Sequence, residues 1–136
     1  RPFNILLLLV EREFNHHDKK IFADCFKNPV GVADPKIIPD DRITSSSNQD
    51  GLFRAAYGRL NGYRGCGWCS GKPDSDSEWL QVDIGEIIQA CGVAIQGDRR
   101  IRRQRFKAFK LSYSLDESNW ETYRDESGEE MVRIPL

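Results

Sequence analysis

A two-residue hydrophobic period is the feature that most restricts what this chain can become. In Trp79-Leu80-Gln81-Val82-Asp83-Ile84, apolar Leu80, Val82 and Ile84 alternate with polar Gln81 and Asp83. That is the pattern of a strand with one face buried. Gly85-Glu86 turns the chain, and Ile87 to Ile95 follows as a nearly unbroken apolar run with β-branched pairs, a second strand signal. Phe109-Lys110-Leu111-Ser112-Tyr113-Ser114 alternates again, and after the turn-rich Asp116-Glu117-Ser118-Asn119 the segment Trp120-Glu121-Thr122-Tyr123 returns as a hairpin partner. Upstream, Pro29, Pro35 and Pro39 break helices while Gly31 and Ser45-Ser46-Ser47 punctuate loops, so residues 40–78 read mostly as loop. Short strands, polar turns and the absence of a long helical pattern predict an all-β sandwich or barrel.

The length, 136 residues, suits one domain. Twenty Lys and Arg against 21 Asp and Glu leave a net charge of −1, so the bulk charge is not that of a nucleic-acid binder. The longest apolar run, Ile5 to Val10, falls far short of the roughly 18 residues that a bilayer span requires. With Arg1-Pro2-Phe3-Asn4 before it and Glu11-Arg12-Glu13 after it, this run is either the remnant of a signal peptide or a buried strand or helix of a preceding module. Residues 11–24 are charged and read as a linker, which sets residues 1–24 apart as an N-terminal extension and leaves 25–136 as the domain.

From Cys25 onward the motifs fall in a known order. The stretch DCFKNPVGVADPKIIPDDRITSSS, then YGRLNG, then EWLQVDIGE, CGVAIQGDRR and FKLSYSLDESNWETYRDESG resembles the discoidin, or coagulation factor V/VIII type C, domain family. The resemblance runs over about residues 25–130, and EWLQVDIG followed closely by VAIQG is its most specific pairing. It implies a jelly-roll β-sandwich, secreted or displayed on cells, whose loops at one end bind collagen, glycans or phospholipid. The family's closing segment is missing after Glu130; either Met131-Val132-Arg133-Ile134-Pro135 stands in for its penultimate strand, or the sequence stops before it. Both alternatives imply a jelly roll that lacks its last strand or strands and leaves a sheet edge open.

Four cysteines in a small, loop-rich chain point to an oxidising compartment and admit three pairings. The family resemblance implies a bridge between Cys69 and Cys91, leaving Cys25 and Cys66 unpaired or joined to each other. Cys66-Gly67-Trp68-Cys69 is also a C-x-x-C, which a thiol-redox or zinc protein would use. A redox site needs a helix after the motif to lower the thiol pKa, and Ser70-Gly71-Lys72-Pro73 cannot start one. Zinc needs two further ligands at compact spacing, which His16-His17 and the remaining cysteines do not supply. Asp74 and Asp76 have no EF-hand spacing. Without a triad or paired carboxylates, the expectation is a non-enzymatic chain with no cofactor and no metal.

The candidate binding residues lie in two loops. Arg99 to Lys110 holds seven positive charges and no acid, whereas Asp116 to Glu130 holds seven acids and only Arg124. One interpretation is a hairpin whose arms neutralise each other across strands. The other is an anion-binding loop built from Arg99, Arg100, Arg102, Arg103 and Arg105, since guanidinium groups pair bidentately with sulfate, phosphate or carboxylate. By resemblance this run and the segment Ser45 to Arg54 form two ligand-facing spikes, the second contributing Asn48, Gln49, Leu52, Phe53 and Arg54. Leu52 and Phe53 are either tucked beneath their own loop or exposed to a partner, and Trp68 either lines the same end or fills the core. The implied partner is an extracellular matrix or cell-surface glycan or glycoprotein such as collagen, with anionic phospholipid as the alternative and nucleic acid excluded. The open edge predicts a chain that is marginally stable or self-associates; a monomeric, cooperative melt above about 60 °C would overturn this.

Overall fold

The computed structural model describes residues 2–8 at the level of the backbone, and residues 28–62, 64, 67–72, 75–88, 90, 92–97 and 107–133. The chain is all-β: among the described residues six strands form one mixed sheet, with two short 3-10 turns, Asp40–Arg42 and Ala55–Gly58, in the connecting loops. The strands are β1 (Pro2–Leu8), β2 (Ile43–Ser45), β3 (Trp79–Asp83), β4 (Ala108–Tyr113), β5 (Glu121–Thr122) and β6 (Met131–Arg133).

The alternation in Trp79 to Ile84 decides which side of β3 is buried. Val82 is 5% exposed and Ile84 7%, whereas Gln81 and Asp83 are half-buried on the opposite face. β2 pairs antiparallel with β3 and sets Ile43 opposite Val82. Onto that face pack Ile38, Ala55 and Trp68 from the loops, with Val32, Leu80, Ile88, Ala90 and Tyr113 around them. The layer covering the sheet is therefore made largely of loop and 3-10 segments.

β1 lies between β3 and β4 and runs parallel to both, with Ile5 level with Leu80 on one side and Leu111 on the other. A strand flanked on both edges by parallel neighbours is characteristically a continuous apolar run, and Ile5-Leu6-Leu7-Leu8 is such a run. The segment set apart in sequence as an extension thus contains a strand at the middle of the sheet. The apolar run Ile87 to Ile95, expected as a strand, is not one at its described positions, and Ile87 is largely exposed. Both edges of β3 are already occupied, by β2 and β1, so this run has no ladder to join there.

β4 and β5 form the expected hairpin, with Ser112 opposite Thr122. In its turn Asp116 accepts hydrogen bonds from the backbone N–H groups of Asn119 and Ser118, at 2.8 and 2.9 Å, and from the Asn119 amide at 2.7 Å. These donors, Asn119 first, hold the Asp116 carboxyl well below the usual carboxylate range. β6 pairs with the other half of β4, from Met131 opposite Lys110 to Arg133 opposite Ala108. β5 and β6 therefore act as one broken edge strand, interrupted by an excursion over residues 124–130 that closes through Gly128 N–H to Asp125 O at 2.9 Å. The base of the excursion is held by Glu130, which accepts from Lys110 Nζ at 3.1 Å and pairs with Arg124.

Two residues tie the loops to this frame. The Arg59 side chain, 7% exposed, donates to Val32 O at 2.6 Å, to Ile38 O at 2.7 Å and to Asp40 Oδ1 at 2.7 Å. Gly85 has φ +83° and lies against the Arg42 guanidinium, where any Cβ would collide.

Replacing Arg59 by Met strands two buried carbonyls and is expected to cost about 2–4 kcal/mol in urea denaturation. The Glu130 carboxyl is held below its ordinary range, first by the Lys110 hydrogen bond and then by Arg124. A depressed folded-state pKa gives a contribution that is complete above the ordinary carboxylate range and is lost as pH falls through it. Glu130→Gln should consequently flatten the loss of stability between about pH 6 and pH 3, and an unchanged acid limb would refute the ion-pair account.

Candidate binding end of the sheet

Strand direction brings sequence-distant segments to one end of the sheet. Trp79, at the start of β3, and Lys110, near the start of β4, both stand level with Asn4 of β1. β2 runs the opposite way and delivers the chain to the same end, where Ser46 N–H donates to Trp79 O at 3.0 Å. The loop of residues 46–54 thus leaves the sheet at the end where the chain enters β4 through exposed Lys107, and where β6 finishes at exposed Arg133. The opposite end carries Asp83, Glu86, Asp116, Glu117 and Glu121.

The 46–54 loop is held by a dense set of bonds. Ser45 Oγ donates to Asn48 Oδ1 at 2.9 Å, Gln49 N–H to Cys69 O at 2.8 Å, and Leu52 N–H to Asp50 Oδ1 at 2.7 Å. Trp68 Nε1 donates to Ser47 O at 3.0 Å, and Ser47 Oγ accepts from Gly71 N–H at 2.9 Å. Beneath the loop, Glu78 is 3% exposed and its Oε2 accepts from Ser46 Oγ at 3.1 Å and from Ser47 Oγ.

This scaffold sorts the expected site residues. Asn48, Gln49 and Arg54 are exposed on the loop. The apolar pair is split: Leu52 is 58% exposed, whereas Phe53 is 5% exposed and inside. The turn closed by Phe53 N–H to Asp50 O at 3.2 Å sends the two side chains to opposite sides. Trp68, 9% exposed, belongs to the core cluster, so of its two alternatives the structure adopts the interior one. Phe53 and Trp68 therefore support the loop from below. Arg99, Arg100, Arg102, Arg103 and Arg105 lie outside the described residues, as do Cys25, Cys66 and Cys91; Cys69 is half-buried. Among the described residues no cluster of three or more His, Cys, Asp or Glu is placed to hold a metal.

Sequence reasoning missed Glu78, Ser46 and Ser47. The serines read only as loop punctuation and the glutamate only as the first residue of the EWLQVDIG motif. The available signal was a carboxylate directly preceding a buried strand, a position where burial demands hydrogen-bond partners.

A model of the F5/8 type C domain matches residues 42–134, the span that holds β2 to β6 and both loops. The chain belongs to the F5/8 type C, or discoidin, domain family. It is 37% identical to human neuropilin-2 over 98 residues, 65% of this chain and 10% of that protein. It is 34% identical to pig lactadherin over 114 residues, 79% of this chain and 28% of that protein. With human retinoschisin it shares 33% identity over 114 residues, 79% of this chain and 50% of that protein. The chain thus spans half or less of the length of these relatives. As a discoidin domain it is a binding domain, of the kind that extracellular adhesion and binding proteins carry. Among the described residues no helix is long and apolar enough to cross a membrane.

The split of the apolar pair has a direct consequence. Phe53→Ser is expected to lower stability by about 3–4 kcal/mol, whereas Leu52→Ser should fall within about 0.5 kcal/mol of the parent. Equal effects of the two substitutions in urea denaturation would contradict the placement.

Proposed function

We propose that this discoidin domain attaches a larger extracellular protein to an anionic partner, a sulfated glycan, collagen or another glycoprotein of matrix or cell surface. The observation that carries this reading is the shared end of the sheet. The 46–54 loop, presenting Asn48, Gln49, Leu52 and Arg54, leaves where the chain enters β4. The residues immediately before that entry in sequence are the arginines of the Arg99 to Arg105 run. A run of arginines in the sequence leading into β4, together with polar side chains on a braced loop, matches the chemistry of sulfate and carboxylate recognition. An acidic opposite end favours one orientation of approach. Membership in a family that includes a receptor by name, the epithelial discoidin domain-containing receptor 1, supports a place outside the cell. The proposed site is non-catalytic and needs no cofactor.

Exposed Leu52 beside Arg54 supports the second reading, attachment to anionic phospholipid, because an apolar tip with flanking cations suits a peripheral membrane contact. The two readings separate on one set of variants. Changing Arg99, Arg100, Arg102 and Arg103 to Ala is expected to reduce heparin affinity about tenfold or more at 0.1–0.15 M salt, with Leu52→Ser leaving it unchanged. Unaltered heparin retention by the arginine variant would reject glycan binding. Flotation with phosphatidylserine vesicles that is lost in Leu52→Ser would put phospholipid in its place.

A further inference from the structure

We propose that Glu78 is the positioning residue of the binding loop: its buried carboxylate holds Ser46 and Ser47 and so fixes how Asn48, Gln49, Leu52 and Arg54 are presented. The inference rests on the proposed role of the 46–54 loop in binding, but the lock itself is observable without a ligand.

The side chain is almost wholly buried, and among the described residues no cation pairs with it. A carboxylate without a counter-ion is costly to bury and needs hydrogen bonds in compensation. Here both bonds come from consecutive residues of one loop, Ser46 and Ser47, which stand more than 30 positions away in sequence. Each serine then passes the constraint on. Ser46 Oγ also accepts from Trp79 N–H at 2.9 Å, so the loop is registered to the first residue of β3. Ser47 Oγ accepts from Gly71 N–H at 2.9 Å, and Ser47 O accepts from Trp68 Nε1 at 3.0 Å, so the same residue also fastens the 68–71 segment. Asn48 and Gln49 follow directly, and Gln49 N–H is bonded to that segment at Cys69 O. Three pieces of backbone, 46–49, 68–71 and the start of β3, thus converge on one carboxylate. An apolar side chain of equal size would fill the space and leave two hydroxyls to reorient, loosening the loop while leaving the sheet alone. Rigid presentation is what such a device contributes, since a loop ordered before binding loses less entropy on binding.

The test is a set of single-domain variants read by amide hydrogen exchange, urea denaturation and heparin affinity. Glu78→Met keeps the volume and removes the acceptor; it is expected to speed exchange at Gln49 and Gly71 about tenfold or more while amides of β3 and β4 keep their protection. Glu78→Gln retains a carbonyl acceptor and should recover most of the protection. Ser70→Ala is the control. Ser70 Oγ is buried with no hydrogen-bond partner among the described residues, so its removal from the same segment should leave exchange at both amides unchanged. Unchanged exchange at Gln49 and Gly71 in Glu78→Met would overturn the proposal, as would loss of protection spread evenly over the sheet. If Glu78→Met does not fold, the double variant Ser46→Ala, Ser47→Ala removes the donors from the loop side and is read in the same way.

The heparin arm separates this inference from the reading beneath it. Several-fold weaker affinity in Glu78→Met, restored in Glu78→Gln, supports both. Faster exchange in a domain that never bound heparin, even in its parent form, keeps the lock and discards the glycan reading. Faster exchange with affinity equal to the parent's overturns Glu78 as a positioning residue.

Discussion

Burial of one face of β3 is the interaction on which the rest of the molecule depends. Leu80, Val82 and Ile84 point to one side because successive side chains alternate across a strand, and that side must be covered. The cover comes from Ile38, Ala55 and Trp68, held in loops without long regular structure. Loops can serve as a core layer only if their backbone polar groups find partners. Arg59 meets that need for Val32 and Ile38, and Trp68 and Gly71 meet it around Ser47. The charged and polar residues on this side are thus structural before they are anything else.

From the same arrangement comes the surface available to a partner. The 46–54 loop, which sends Phe53 inward and rests on buried Trp68 of the 68–71 segment, exposes Asn48, Gln49, Leu52 and Arg54. Anchoring and presentation are two sides of one segment, and Glu78 lies beneath both. The proposed site is this braced loop, whose exposed side chains offer charge and hydrogen bonding, the chemistry by which several weak contacts held in fixed geometry would give affinity.

Much of this was legible in the order of residues. The period in Trp79 to Ile84 and in Phe109 to Ser114 gave two strands, and the turn residues Asp116 to Asn119 announced the hairpin to Trp120 to Tyr123. Family membership was legible because its motifs carry specific local chemistry: the Gly85 turn at positive φ against Arg42 and the buried arginine of YGRLNG are each hard to replace. Less legible was β1, whose apolar run fits a strand, a helix segment or a leader equally well when its neighbours are unknown. The run Ile87 to Ile95 shows the converse: it follows β3, both of whose edges are taken by β2 and β1, and at its described positions β propensity alone does not make a strand.

By itself the sequence determined the class of fold, the faces of its main strands and the family, because alternation, turn chemistry and glycine conformation act over a few residues at a time. Tertiary structure alone decided that Leu52 is out and Phe53 in, that Trp68 is core, and that Ser46 and Ser47 both donate to the carboxylate of Glu78, more than 30 positions away. Those outcomes depend on which backbone segments meet, and that is settled by the sheet's register and direction, which no local pattern contains.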